Sequence, residues 1–186
     1  NPIELEGTYP LPEAQLDRFL VKLQVGYPTR KQEKEILDRR KERKTDAFQL
    51  KRIADARKVI AMQKVCEEVY IHEDIEKYIV EIVYNTRELA SIEVGASPRG
   101  SLALFKLGRA RAAYMGRDFV IPDDVKEMVI PALSHRVILK PEIWYTKVTE
   151  ISILGNIVEK IPVPKVEELE ERIEVHVAQS GSDRDL

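Results

Sequence analysis

The sequence is poor in the residues that build disulfide frameworks and metal sites. It contains one cysteine, Cys66, which has no partner for a disulfide within the chain, so a secretory disulfide framework is excluded. The three histidines, His72, His135 and His176, lie far apart and show no metal-ligand spacing. We therefore predict no metal site and interpret the histidines as surface or helix-capping residues.

Long apolar runs and an excess of one charge are also missing. No uninterrupted apolar run approaches the roughly 18 residues that a bilayer-spanning helix needs, so we predict no membrane span and a cytoplasmic protein. The formal net charge is only -2 although 33% of the residues are charged, which excludes a chain that is strongly basic overall. The 186 residues are 44% hydrophobic, enough to bury the core of one large domain or two small ones.

An alternating pattern follows the first eighteen residues. In FLVKLQV, residues 19–25, the apolar side chains of Phe19, Val21, Leu23 and Val25 would share one face, as in a half-exposed or edge strand. A lone strand is not stable by itself. We therefore expect this strand to belong to a sheet whose other strands lie outside this sequence, so that the chain is a fragment of a longer protein.

The remainder is helical in pattern. Thr29 stands three residues before Gln32, the spacing of a capping box, and predicts a charged helix up to about Lys44. Ser97 followed by Pro98 predicts another helix start. Further helices are predicted over 46–69, 73–90, 98–115, 122–137 and 146–160. Helical spacing predicts core positions at Phe48, Ile53, Val59, Ile60, Met62, Val65, Ile75, Ile79, Ile82, Thr86, Leu89, Ala103, Leu107, Ala110 and Tyr114.

Four ordered blocks carry a resemblance to a known family. They are NPIELEGTYPLPEAQLDRF at 1–19, GYP at 26–28, GASPRGSLALFKLGRARAAYMGRDFVIPDDV at 95–125 and HR at 135–136. Together they resemble the MoxR family of AAA+ ATPases over residues 1–162. The resemblance implies a mainly α fold: a remnant of the α/β ATPase core with its last strand and loop at 1–28, an all-helical AAA+ lid at 29–161, and a charged tail at 162–186.

The same resemblance implies roles for five residues. Asn1 matches the sensor 1 asparagine, which helps to orient the attacking water, and Arg18 matches the arginine finger that reaches a neighbouring subunit's nucleotide. Arg99 matches sensor 2, acting on its own subunit's nucleotide or a neighbour's, and Tyr27 and Pro28 lie in a nucleotide-binding turn. From the residues alone, Asn1 reads as an ordinary polar residue and Arg99 as an exposed first-turn arginine.

For Arg18 the alternative is a surface arginine paired with Glu13 or Asp17.

One phosphate-loop spacing is rejected. Gly95 and Gly100 have the Gly-x-x-x-x-Gly spacing of a P-loop, but Ser101-Leu102 follows where Lys-Ser/Thr is required, and no strand pattern directly precedes it. Neither Walker motif occurs in the sequence. The resemblance implies ATP and Mg²⁺ as cofactors of the full-length protein. Because the Walker motifs are missing, we expect this chain alone to bind neither and to be inactive.

The resemblance implies that the whole protein assembles into a ring, which is hexameric in many relatives. It would hydrolyse ATP at the subunit interfaces and so remodel or activate client proteins in a chaperone-like way. The alternative is a non-enzymatic helical interaction or nucleic-acid-binding module. The basic residues between Arg30 and Lys58 are interleaved with acids, and no aromatic residues are placed among them for stacking. We therefore interpret that stretch as a solvated helix face with i,i+4 ion pairs, and nucleic acid is not the expected partner.

Overall fold

Helices dominate the secondary structure. The computed structural model of the chain describes residues 11–48 and 50–164, and within these ranges no helix is long and apolar enough to cross a membrane. The described elements are α1 (Glu13–Leu16), α2 (Arg30–Arg43), α3 (Ala56–Glu68), α4 (Glu73–Glu88), β1 (Ile92–Val94), α5 (Pro98–Tyr114), α6 (Pro122–Leu133), β2 (Ile138–Leu139), a short 3₁₀ helix (Pro141–Ile143) and α7 (Glu150–Lys160). The mainly α fold class is confirmed.

The described residues form two compact units. One comprises the described residues up to Lys22 and those from Lys64 onward, and the other runs from Leu23 to Gln63. The hydrophobic core belongs entirely to the first unit, since none of the described residues of the second is buried. The division into segments 1–28, 29–161 and 162–186 stays a prediction.

The core lies among α4, α5, α6 and α7. α4 turns one apolar face inward, and the burial of Ile75, Ile79, Ile82 and Thr86 confirms the predicted positions. α5 and α6 share the most extensive helix–helix contact. Burial along α5 ends at Ala112, and Tyr114, which we predicted to be packed, is 85% exposed because it lies in the last turn beyond the core.

Two helix starts follow directly from local sequence. Thr29 and Gln32 form the predicted capping box: the Thr29 hydroxyl accepts from the Gln32 N–H at 3.4 Å, and the Gln32 side chain accepts from the Thr29 N–H at 2.8 Å. At α5 the Ser97 hydroxyl accepts from the Arg99 N–H at 3.2 Å, and Pro98 takes the first helical position. These contacts satisfy backbone donors that the helix itself leaves open.

An ion pair fixes the turn into α6. Asp124 is 1% exposed, and its two carboxylate oxygens accept from Arg117 Nη1 at 2.7 Å and Nη2 at 2.6 Å. The same carboxylate accepts from the Ile121 N–H at 3.0 Å. Hydrogen bonding to Asp124 raises the pKa of Arg117 above its usual value. Because the buried charge is paired and hydrogen-bonded, it ties the 117–121 segment to the helix instead of destabilising it.

A small antiparallel ribbon was not predicted. β1 and β2 pair Ile92 with Leu139 and Val94 with Ile138, with an irregularity between the two pairs. Strands this short carry too little periodicity to be recognised in the sequence. The ribbon places the residues before α5 next to those that follow α6.

The predicted strand over residues 19–25 is wrong. Residues 19 and 20 form a bend, and residues 21–25 have no regular secondary structure. The backbone hydrogen bond from the Lys22 N–H to the Pro131 carbonyl, at 2.9 Å, joins this segment to α6. Alternation predicts which side chains share a face, but a strand also needs a partner strand, and none of the described residues provides one.

The predicted helix over 46–69 begins only at Ala56, and its predicted core positions are exposed. They are Phe48, Ile53, Val59, Ile60, Met62 and Val65. The helical period predicts an apolar side for α3. It does not predict whether another element packs against that side, and α3 has no buried residue. The α2 surface confirms the predicted ion pairs, with Lys34 2.6 Å from Asp38 and Arg39 2.5 Å from Glu35.

Thr86 connects α4 to the chain that leads into α5. Its hydroxyl is fully buried, donates to the Val83 carbonyl at 2.6 Å and accepts from the Ala96 N–H at 2.9 Å. The methyl group meanwhile completes the apolar face of α4. This one side chain therefore serves both the core and a backbone donor that would otherwise be buried without a partner.

We expect Thr86→Val to lower the free energy of unfolding by about 1–3 kcal/mol, because the Ala96 N–H would lose its acceptor at nearly unchanged volume. Urea denaturation measures this loss. Thr86→Ser, which keeps the hydroxyl and removes one methyl, is the control and should be less destabilised. Equal stability of the Val variant and the original chain would show that the hydrogen bond contributes nothing.

Candidate phosphate-binding cleft

The segment that contains Arg18 is held by a buried arginine, Arg136. The Arg136 Nε donates to the Asp17 carboxylate at 3.0 Å, and Nη2 donates to the carbonyls of Asp17 at 3.0 Å and Phe19 at 2.6 Å. Nη1 donates to the carbonyl of Leu20 at 3.3 Å and also to that of Ala132. The side chain of Arg136 is 3% exposed. Sequence reasoning quoted Arg136 only as part of the HR pair and assigned it no role.

The Asp17 carboxylate also reaches the start of α5. Ser97 Oγ lies 2.9 Å from one carboxylate oxygen of Asp17 and 3.2 Å from the other, and donates its proton there. Ser97 is at the same time the N-cap of α5, two residues before Arg99. The Asp17 carboxylate therefore binds Ser97 and Arg136, and among the described residues Arg18 pairs with neither Glu13 nor Asp17.

Arg18 and Arg99 line the same cleft, which has a volume of about 550 Å³. Its other lining residues are Asp17, Leu20, Leu102, Ala103, Lys106 and Arg136. Lys106 follows Arg99 by two helical turns and so lies on the same face of α5. Sequence reasoning missed Lys106, although this spacing of seven residues from Arg99 could have identified it.

The cleft is electropositive. Arg18, Arg99 and Lys106 are exposed, and none of their side chains forms an ion pair or hydrogen bond with another residue of the described ranges. Asp17, the acid that lines the cleft, is already neutralised by Arg136. Three cations beside the positive end of a helix dipole suit an anion with several oxygens, such as a polyphosphate.

The cleft suits phosphate oxygens better than Mg²⁺. Mg²⁺ prefers carboxylate and water oxygens, and the one carboxylate in the cleft is occupied by Ser97 and Arg136. No cluster of three or more potential metal ligands occurs in the part of the chain that the structure describes. His72 caps α4 by accepting from the Asp74 N–H at 3.1 Å, whereas His176 lies outside the described residues.

The remaining predicted site residues are Tyr27, Pro28 and Asn1. Tyr27 and Pro28 belong to the unit 23–63, where they line an open groove of about 510 Å³ with Gly26, Gln32, Glu35, Ile36 and Arg39. Tyr27 is 84% exposed. Asn1 lies outside the described residues. The roles of these three residues remain predictions.

The rejected P-loop spacing has a packing explanation. A Cβ at Gly95 would lie 2.6 Å from the Thr86 carbonyl oxygen, and one at Gly100 would lie 2.9 Å from a methyl carbon of Leu133. The absence of a side chain therefore lets the Thr86 carbonyl pack closely against Gly95 and the Leu133 side chain pack closely against Gly100. One part of our reasoning was wrong, because strand β1 does directly precede Gly95. The missing Lys-Ser/Thr still excludes a phosphate-binding loop here.

His135 supports the same segment from the neighbouring position. Its Nε2 lies 3.0 Å from the Phe19 carbonyl, and since a carbonyl only accepts, Nε2 carries the proton. Nδ1 is buried and has no hydrogen-bond partner. Burial is the main cause that lowers the pKa of His135 below 6.5, and the neighbouring positive charge of Arg136 acts in the same direction. The folded chain therefore favours neutral His135.

This lowered pKa predicts a pH-dependent stability. As the pH falls below about 6.5, the unfolded chain accepts a proton that folded His135 resists, so the free energy of unfolding decreases between pH 7 and pH 5. Below the folded pKa the loss levels off. His135→Gln keeps an N–H donor for Phe19 without titrating, and we expect urea denaturation at several pH values to show a shallower decline. Parallel curves for the variant and the original chain would contradict this assignment.

Comparison with known proteins agrees with this geometry. Residues 84–154 match the AAA lid domain, and residues 1–21 match the ATPase family associated with various cellular activities (AAA). The chain is 42% identical to the uncharacterized protein YeaC of Bacillus subtilis over 164 residues, covering 88% of this chain and 51% of that protein. It is 34% identical to the chaperone MoxR1 of Mycobacterium tuberculosis over 175 residues, covering 89% of this chain and 46% of that protein.

A solved structure shows the same fold. A protein from Cytophaga hutchinsonii, provisionally assigned as an ATPase, superposes with a TM-score of 0.80 at 35% identity and covers 89% of this chain and 52% of that one. The chain thus spans about half the length of the relatives it matches. The matched lid domain includes α5, α6 and the Arg99 end of the cleft. The chain belongs to the MoxR family of AAA+ ATPases and contains its AAA lid domain.

Proposed function

We propose that this chain contributes the arginine finger Arg18 and the sensor 2 arginine Arg99 to ATP hydrolysis in a MoxR-type AAA+ assembly. The observation that carries the proposal is their placement in one cleft of unneutralised positive charge, together with Lys106. Neither residue is held by another described side chain, so each guanidinium is available to a ligand.

The chemistry matches the charge. In phosphoryl transfer, negative charge spreads over the oxygens of the transferred group, and a planar, permanently protonated guanidinium stabilises it. The attacking water is oriented by Asn1 in this proposal, and Tyr27 and Pro28 contact nucleotide. ATP supplies the transferable phosphoryl group and Mg²⁺ neutralises its oxygens, but no described side chain of this chain is assigned to the metal.

The shared cleft bears on whether Arg99 acts on its own subunit's nucleotide or on a neighbour's. By resemblance to the family, Arg18 reaches the nucleotide of a neighbouring subunit. Since Arg18 and Arg99 line one cleft of one chain, we propose that both act on that same neighbouring nucleotide. Assembly into a ring, a hexamer in this proposal, then places each cleft against the next subunit.

The proposed action on client proteins is based on similarity to relatives. One relative is named a chaperone, and we propose that hydrolysis remodels or activates client proteins in the cytoplasm. The competing proposal is a helical interaction or nucleic-acid-binding module without ATP chemistry. Ion pairs along α2 engage Lys34 and Arg39 with acids of the same helix, as on a solvated helix face, and this pattern does not favour the nucleic-acid proposal.

In the full-length protein, we expect Arg18→Ala to reduce kcat for ATP hydrolysis by about 10³–10⁵-fold while nucleotide affinity stays nearly unchanged, because a finger acts chiefly on the transition state. Steady-state hydrolysis and equilibrium nucleotide binding measure the two effects. Mixing this variant with a hydrolysis-deficient subunit that retains Arg18 should restore part of the activity. An equal loss of binding, or no restoration on mixing, would count against a finger that works across an interface.

We expect Arg99→Ala to weaken ATP binding or slow hydrolysis without unfolding the lid. Ser97 and Pro98 fix the helix start, and truncation of an exposed side chain usually costs within about 0.5 kcal/mol. Thermal melting and hydrolysis rates separate the two effects. Arg57→Ala, in the exposed first turn of α3, is a matched control that should change neither. A lower melting temperature with normal ATP kinetics would make Arg99 structural.

A further inference from the structure

A hydrogen-bonded connection joins the two arginines of the cleft. Arg136 contacts the chain on both sides of Arg18, through the carbonyls of Asp17 and Phe19. Asp17 in turn accepts from Ser97, which caps the helix that carries Arg99. The backbone that presents Arg18 and the helix end that presents Arg99 therefore share one buried guanidinium and one carboxylate.

The hydrogen-bonding capacity of Arg136 is completely used. A guanidinium has five N–H groups in a rigid planar fork. Here Nε has one acceptor, while Nη1 and Nη2 have two acceptors each. Four of the five acceptors lie in residues 17–20 and the fifth is the Ala132 carbonyl of α6. Lysine offers three donors from a single point and has no comparable geometry, so it cannot reproduce this arrangement.

We propose that Arg136 is a positioning residue, which holds Arg18 and Arg99 through Asp17 and Ser97 so that the two arginines act as one rigid pair. This inference rests on the proposed function of the cleft. Arg136 itself touches no reacting atom in this scheme. Its effect on hydrolysis is transmitted through the placement of Arg18, because a displacement of about 1 Å can cost on the order of 100-fold in rate.

The test uses the full-length protein and the variants Arg18→Ala, Arg136→Lys and their combination. We expect Arg136→Lys to lower kcat by about 10–100-fold with little change in KM, since binding by other residues remains. In the Arg136→Lys background, Arg18→Ala should cause a much smaller further loss than it causes alone, because the finger is already misplaced. A purely structural Arg136 would lower the melting temperature, and the two losses in kcat would multiply.

Arg109→Lys is the matched control. Arg109 is also a largely buried arginine of the lid and donates to the Val69 carbonyl at 2.9 Å and to Glu67 at 2.8 Å, but it does not contact residues 17–20. It should leave kcat near the original value. If Arg136→Lys proves too unstable, Asp17→Asn removes the ion pair while keeping an acceptor for Ser97, and the same fall in kcat and the same non-additivity are expected.

The outcomes separate the two proposals. If Arg18→Ala leaves hydrolysis unchanged, the proposed function fails and this inference fails with it. If Arg18→Ala removes hydrolysis but Arg136→Lys behaves like Arg109→Lys, or multiplies with Arg18→Ala, only the positioning role is overturned. A fall in kcat that does not add to that of Arg18→Ala supports it.

Discussion

A buried guanidinium must be neutralised and supplied with acceptors, and this requirement at Arg136 organises the cleft. Water cannot satisfy a side chain that is 3% exposed, so carbonyl and carboxylate oxygens of the protein must do so. The segment after α1 provides most of them and is thereby fixed beside the lid. The small ribbon and the glycine contacts around α5 bring the helix start to the same place.

Features that depend on neighbours in sequence could be predicted. The capping box at Thr29 and the start of α5 at Ser97 need only residues within one turn, and both are confirmed. The inward face of α4 follows equally well from helical spacing. What failed depends on partners distant in sequence: the strand over 19–25 lacks a neighbour in the described residues, and the β1–β2 pair forms from two or three residues each.

The same distinction between local motifs and distant contacts applies to the candidate site. The motif resemblance predicted Arg18 and Arg99 as site residues. It could not predict that they line one cleft, because they lie far apart in the sequence. The spacing of seven residues from Arg99 places Lys106 on the same face of α5, but only the structure shows that this face lines the cleft. Arg136 belongs to the HR block of the resemblance, but the sequence assigned it no role, because its burial and its contacts with residues 17–20 appear only in the structure. The predicted alternative for Arg18, a pair with Glu13 or Asp17, is not observed, because Arg18 forms no ion pair with a described residue and Asp17 pairs with Arg136.

The unit 23–63 has a different physical character because none of its described residues is buried. Its helices are stabilised by a capping box, short-range ion pairs and backbone hydrogen bonds. Each contributes a few tenths of a kcal/mol to about 1 kcal/mol to the stability of the helix. Because no buried core couples its turns, we expect such a unit to open turn by turn from its ends, as an isolated helix does. The unit that contains the cleft, with its shared core, instead unfolds cooperatively. Arg18 and Arg99 thus lie in the unit whose buried core favours cooperative unfolding over local opening.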